Sequence, residues 1–314
     1  MVSLTVLKRI ARRLPYLRDL HRYILLLEAE RDALRAEVGH WKTWMSPGHF
    51  YSPVPSLDEI RKREQELFAP PLRTLPGIDL RPGEQLAVVG ELARYYDELP
   101  FPREKSKGRR YWFENPAYSY ADAIYLYSFL RYLRPRRIIE IGSGFSSAAM
   151  LDTSELFLES SIMFTFIDPD PSTLHTLLRS DDKPEILCAP VQDVPLQRFE
   201  SLDANDILFV DSTHVSKTGS DVNRIVFEIL PALRSGVYVH FHDVFYPFEY
   251  PKEWVYEGRA WNEDYLLRAF LEYNQVFDIV LFGTWLARFH EDVLRRSMPL
   301  CLENPGGSLW LRKK

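Results

Sequence analysis

The stretch Arg137 to Met150, R-I-I-E-I-G-S-G-F-S-S-A-A-M, restricts the fold more than any other part of the chain. Ile138-Ile139-Glu140-Ile141 is an apolar, β-branched run of the kind that forms a buried strand. Gly142-Ser143-Gly144 interrupts it, and small helix-compatible residues resume at Ser146. Strand, glycine turn and helix start together place a nucleotide-like ligand over a helix N-terminus. The two glycines permit a tight turn and close backbone approach. Ser146 or Ser147 can cap the next helix. The spacing is G-x-G and not G-x-x-x-x-G-K-[ST], which excludes a P-loop. The third glycine of the dinucleotide fingerprint is also missing, because Ser147 stands there.

The turn belongs to a longer alternation. Strands are predicted at 137–141, 162–167, 185–188, 207–210, 237–241, 276–282 and 308–311. Helices are predicted at 118–133, 146–158, 172–179, 221–233 and 262–273. Such alternation means a parallel α/β sheet with right-handed crossovers. The last two strands bracket a long excursion, which suits an antiparallel closing hairpin.

Ahead of this domain, expected to span 117–314, lie two other segments. Residues 1–45 read as helix. Leu4, Leu7, Ile10 and Leu14 recur at helical spacing among Lys8, Arg9, Arg12 and Arg13. Beyond Pro15, a heptad-like seam runs through Leu17, Leu20, Ile24, Leu27, Arg31, Leu34, Val38 and Trp41. It suggests a short coiled coil and a homo-oligomer. Packing on the chain's own domain and contact of a basic leader with anionic membrane are the alternatives. Residues 46–116 are rich in proline and aromatic residues and carry helices near 56–67 and 82–98. This segment is expected to wrap the domain and cover its ligand.

Composition narrows the partners. A net charge of −5 gives no basic footprint for nucleic acid. The two cysteines, Cys188 and Cys301, form neither a disulfide framework nor a C-x-x-C metal spacing, and a reducing cytoplasm fits them best. No apolar run reaches the ~20 residues of a spanning helix, and the early basic residues interrupt any signal-peptide core.

Glu140 immediately before the turn gives E-x-G-x-G, which resembles motif I of the class I S-adenosylmethionine-dependent methyltransferases. The resemblance covers roughly Tyr118 to Lys314. It implies a Rossmann-like sheet, mostly parallel with an antiparallel last strand, carrying an N-terminal helical extension. The segments V-D-S-T-H-V-S-K-T-G-S-D-V-N and H-F-H-D-V-F-Y-P-F-E-Y-P resemble a bacterial branch of that superfamily, one that carries over no substrate. S-adenosyl-L-methionine is then the implied cofactor. Glu140, Gly142, Ser143, Gly144 and Ser146 would form its turn. Asp168, at the end of strand 2, is placed to accept from two ribose hydroxyls. After strand 3 the family often meets the adenine amino group with an Asp, here Asp193, with Gln192 next. The family's pre-strand helix makes Tyr120 a candidate contact to the methionine end. A ring packed under a lid is the plainer reading of that tyrosine.

The reacting groups would come after strands 4 and 5, where Asp211, His214, His242 and Asp243 gather. An alcohol acceptor must lose a proton as it attacks, and histidine suits that task near neutral pH. A His–Asp pair could act as general base, the Asp fixing the tautomer. Alternatively, Asp211, Asp243 and His214 could hold a divalent metal. The Asp-Asn pair usual at strand 5 in metal-assisted relatives is absent, which favours the metal-free base. His240, inside strand 5, reads as a satisfied core histidine. The loop from Val244 to Trp261 mixes aromatic rings with Glu249, Glu253 and Glu257. It suits a small-molecule or glycan acceptor carrying hydroxyls, although some of its rings must form a satellite core. The expected activity is methyl transfer to oxygen. Methyl transfer to nitrogen and a scaffold with a vestigial cofactor site are the alternatives.

Overall fold

The structure, a computed structural model, describes residues 15–40 and 44–314. The helical pattern through Leu4, Leu7, Ile10 and Leu14, and the seam residue Trp41, lie outside the described residues. The chain divides into two compact units, Met1–Arg63 and Glu64–Lys314. The division falls within the proline-rich segment, so its later part shares a unit with the sheet.

In the first unit a helix runs from Pro15 to His40, and a short helix, Leu57–Lys62, comes after it. Ser56 caps the short helix by accepting from the Glu59 amide at 3.4 Å. No helix among the described residues is long and apolar enough to cross a membrane.

The second unit holds a seven-stranded sheet in the order β3-β2-β1-β4-β5-β7-β6. The strands are β1 Arg137–Ile141, β2 Met163–Ile167, β3 Glu185–Leu187, β4 Ile207–Val210, β5 Tyr238–Phe241, β6 Phe277–Phe282 and β7 Leu309–Lys313. β1 pairs in parallel with β2 and β4, β2 with β3, and β4 with β5. β7 runs antiparallel to both β5 and β6. The doubly covered strands β4 and β5 are buried at every residue, as their largely apolar sequence requires. The register aligns the carboxyl ends of β1, β4 and β5 at Ile141, Val210 and Phe241 along one edge.

The Tyr120–Leu133 helix precedes β1 and is buried at every position from Tyr120 to Leu130. A helix apolar all round is a core helix, and it carries Asp122 into the interior at 3 % exposure. The helix after β4 widens into a π turn at Ile225–Ile229. That turn lies just upstream of Pro231, which lacks the N–H for an ordinary bond to residue 227. The excursion between β6 and β7 carries two helices, Gly283–Phe289 and Glu291–Ser297.

The segment before β1 is fixed by a buried cation. Arg110 pairs with Asp152 at 2.8 Å, with Glu155 at 2.6 Å and, through Nε, with Asp182 at 2.8 Å. Asp152 also accepts from the Arg110 and Tyr111 amides at 2.9 and 3.0 Å. Phe101, Tyr111, Phe113 and Tyr127 meet edge to face beside it. Removing one partner of such a network strands buried charge. Arg110→Ala should therefore cost about 3–5 kcal/mol of unfolding free energy in urea denaturation. A loss under about 1 kcal/mol would mean that the aromatic cluster holds the segment unaided.

Candidate active site

The glycine turn is built by crowding. Gly142 has φ +79°, and a Cβ there would lie 2.1 Å from the Asp211 carbonyl oxygen. Any side chain would push β1 and β4 apart, so glycine is required on both counts. The Gly142 amide donates to the Ile167 carbonyl at 2.9 Å, and the Asp211 amide to the Ile141 carbonyl at 2.8 Å. The ends of β1, β2 and β4 are thereby laced together.

Glu140 is fully buried and accepts from the Ser146 hydroxyl and, at 2.5 Å, from that of Ser147. Ser147 Oγ in turn accepts from the Gly144 amide at 3.0 Å. Burial pushes the Glu140 carboxyl up to about 8, against the opposing pull of the two hydroxyls. Glu140 and Ser146 thus face inward and brace the turn from beneath.

The turn's upper side is tied to β2. Asp168 Oδ2 accepts from the Ser143 amide and hydroxyl at 2.9 and 2.8 Å, while Oδ1 accepts from the Asp170 amide at 2.8 Å. Asp193 stands exposed in a short turn after β3. Gln192, also exposed, donates to the Gly219 carbonyl at 2.8 Å.

The groups after β4 and β5 converge. His214 Nε2 lies 3.4 Å from Asp211 and 3.8 Å from Asp243, and its Nδ1 lies 2.9 Å from Glu263. His242 Nδ1 lies 3.4 Å from Asp211, while its Nε2 lies 3.6 Å from both Asp243 and Asp122. Both imidazoles are buried, at 4 % and 5 % exposure. Burial alone would lower their affinity for a proton. The surrounding carboxylates outweigh it, raising His214 to about 10 and His242 well above its ordinary value. Burial likewise favours a protonated Asp211, but the two histidines reverse this and hold it well below the usual carboxylate range. Asp243 keeps a raised value, because burial there exceeds the pull of His242 and His214. Among the described residues no group of three or more His, Cys, Asp or Glu side chains is arranged to hold a metal ion. Asp211, Asp243 and His214, the conditional metal set, stand as an imidazole between two carboxylates.

Two members of this cluster lie outside the sequence expectation. Asp122 arrives from the helix before β1, and its Oδ1 accepts from the Gly307 amide at 3.0 Å and the Ser308 hydroxyl at 2.6 Å. Glu263 arrives from the Glu263–Leu271 helix and also accepts from Ser212 Oγ at 2.9 Å. The tyrosine beside the cluster is Tyr118, whose ring centroid lies 5.0 Å from that of His242. Tyr120 instead stacks on Phe113 at 5.1 Å and donates to Glu114 at 3.1 Å. His240 is the expected core histidine, fully buried and 3.0 Å from the Ser308 hydroxyl, with burial lowering its basicity.

The aromatic loop divides in two. Tyr246, Phe248 and Tyr250 are buried, and Tyr246 and Phe248 join the main core through Phe282 rather than forming the expected satellite cluster. Phe245, Trp254 and Trp261 stay half-buried, with Trp254 in edge contact with each of the other two. The Trp261 ring lies 4.3 Å from the His214 ring, at the rim of the cluster. A cleft of about 1070 Å³ opens elsewhere, at the amino ends of β1 and β2, lined by Arg137, Met163, Glu185 and Arg198. Within it Arg198 pairs with Glu185 at 2.8 Å, and Arg137 donates to the Ser201 carbonyl at 2.5 Å. Open parallel sheets bind ligands at the carboxyl ends instead, where the glycine turn and the cluster lie.

The family model described as a methyltransferase domain matches residues 139–244, from the middle of β1 to just beyond β5. A protein of Archaeoglobus fulgidus, described as uncharacterized, is 37 % identical over 167 residues, covering 51 % of this chain and 75 % of its own length. The chain carries a methyltransferase domain over residues 139–244. Among solved structures, an SAH-bound methyltransferase of Podospora anserina is 15 % identical, with a TM-score of 0.40 over 87 % of this chain and 100 % of its own. An O-methyltransferase of Streptomyces achromogenes involved in tomaymycin synthesis, in complex with SAM, is 15 % identical, with a TM-score of 0.38 over 82 % and 96 %.

The brace beneath the turn has a pH signature. The Glu140 pKa is higher folded than unfolded. Its stabilising contribution is therefore complete below ~4.3 and lost as pH rises through about 8. His214 has the same sign, with its loss falling between ~6.5 and about 10. The melting temperature should decline from neutral towards alkaline pH. Glu140→Gln should flatten the part of that decline below pH ~8 by a few degrees. An unchanged slope in the variant would refute the buried-carboxyl assignment.

Proposed function

We propose that this methyltransferase transfers a methyl group to a hydroxyl oxygen of a sugar-like or other small polyhydroxy acceptor. The observation that carries the proposal is the meeting, on one sheet edge, of the glycine turn with buried His214 and His242 and their partners Asp211 and Asp243. The residues suit the cofactor. Asp168 is a half-exposed carboxylate able to exchange its present partners for ribose hydroxyls, and Asp193 is an exposed acceptor for an exocyclic amine. Asp122, Asp211, Asp243 and Glu263 outnumber His214 and His242, which favours a cation such as a sulfonium. When bound, S-adenosylmethionine supplies an electrophilic methyl group.

The chain's own residues would position the acceptor and receive its proton. The half-buried faces of Trp261, Trp254 and Phe245 suit the apolar face of a sugar ring. With His214 and His242 already protonated, neither can serve as base at neutral pH. Asp211 is held too acidic for the task. Asp243 combines a raised proton affinity with partial exposure, and it is assigned the acceptor's proton. The imidazolium groups of His214 and His242 then hold Asp211 and Asp243 in place. This assignment reverses the roles expected from sequence for histidine and aspartate.

Titration calorimetry tests the cofactor half. S-adenosylmethionine should bind the wild-type chain, and Asp168→Ala should weaken it about 100-fold through loss of two charge-assisted hydrogen bonds. Absence of binding at millimolar cofactor would overturn the reading. Incubation with methyl-labelled cofactor and a panel of sugars, polyols and phenols, with mass spectrometry of the products, tests the acceptor. Asp243→Asn should keep cofactor affinity and lose about 10²–10⁴ in turnover. Retained turnover would place the base elsewhere.

A further inference from the structure

Between Arg18 and Ala36 the helix Pro15–His40 buries no side chain. Every side chain from Arg18 to Ala36 is exposed, including Leu20 at 42 %, Ile24 at 44 %, Leu27 at 46 % and Leu34 at 54 %. An isolated helix is marginal in water, and most helical stability comes from covering an apolar face. One set of residues falls in heptad register, while Tyr23, Leu25 and Leu26, also exposed, stand off it. Leu17, Ile24 and Arg31 take the a positions of a heptad, and Leu20, Leu27 and Leu34 take the d positions. Leu27, Glu30, Arg31, Leu34 and Arg35 line one continuous shallow groove on this face.

The flanking charges select the occupant. Glu30 stands at g and Arg35 at the next e. In a parallel, in-register pair the g residue of one helix meets the next e residue of the other. Glu30 of each copy would thus meet Arg35 of the other, twice over. The exception in the seam fits the same pairing. Arg31 at an a position would be flanked by Glu30 of the second copy. Within one copy Arg31 makes an exposed pair with Asp32 at 2.8 Å, a contact of little consequence. A single polar a residue fixes register and strand number at some expense of stability.

We propose that Leu17–Leu34 is the seam of a parallel two-stranded coiled coil through which two copies of this chain associate. The seam lies wholly within the helix, so dimerisation and catalysis separate experimentally.

Sedimentation equilibrium on the full chain should give a dimer of 36.9 kDa subunits. Ile24→Asp/Leu27→Asp should give a monomer with the core melting temperature unchanged. Glu30→Arg should weaken the dimer about tenfold, since two attractive contacts become repulsive, and Glu30→Arg/Arg35→Glu should restore it. With the exposed Cys188 replaced by serine, Leu34→Cys should form an intersubunit disulfide on oxidation, because Leu34 faces its own counterpart only in the parallel register. A monomeric wild-type chain at micromolar concentration would overturn the proposal. So would a larger oligomer, a charge reversal that fails to rescue, or no disulfide at Leu34→Cys. A monomer that pellets with phosphatidylserine vesicles would also overturn it and make the face a membrane contact.

Discussion

The contact between Gly142 and the carbonyl of Asp211 sets the rest of the site. At this point two parallel strands touch backbone to backbone, leaving no space for even a methyl group. The glycine turn after β1 therefore abuts the first residue after β4. A ligand over the turn must lie beside Asp211. The glycine turn and the His–Asp cluster are joined by a single steric constraint, and the lacing from Gly142 to Ile167 brings Asp168 to the same place.

A second constraint is electrostatic. Asp122 and Glu263 are buried and Asp211 and Asp243 partly so, where an unpaired carboxylate would be costly. His214 and His242 meet that cost as cations, each between carboxylates at 2.9 to 3.8 Å. The arrangement holds side chains from four separate elements in fixed relation. It also raises the proton affinity of both histidines, while Asp243, at φ +57°, is raised by burial.

The sheet is legible in the sequence because its strands are short apolar runs bounded by glycine, proline and aspartate. The glycine turn, Asp168, and the pairs Asp211–His214 and His242–Asp243 emerge from the residues at the end of each run. Asp122 and Glu263 do not. They lie on helices whose periodicity looks ordinary, and their partners are remote in sequence, as with His214 and Glu263, 49 positions apart. Asp122 at a buried position of an apolar helix is the available signal. The inward turn of Glu140 is equally hidden, because E-x-G-x-G does not say which way the carboxylate points. Proton affinity depends on burial and on neighbours brought together by folding, so the sequence does not show the carboxylates that raise the proton affinity of His214 and His242. The helices between β6 and β7 escape a sequence reading because each is only seven residues long, too short to establish a period.

Charged imidazoles at the sheet edge are the claim on which the chemistry rests. A ¹⁵N-detected NMR titration of ring-labelled histidines measures this directly. His214 and His242 should carry protons on both ring nitrogens at pH 7 and resist deprotonation well above it, while His240 stays neutral throughout. A neutral His214 or His242 at pH 7 would contradict the account and return the role of base to an imidazole.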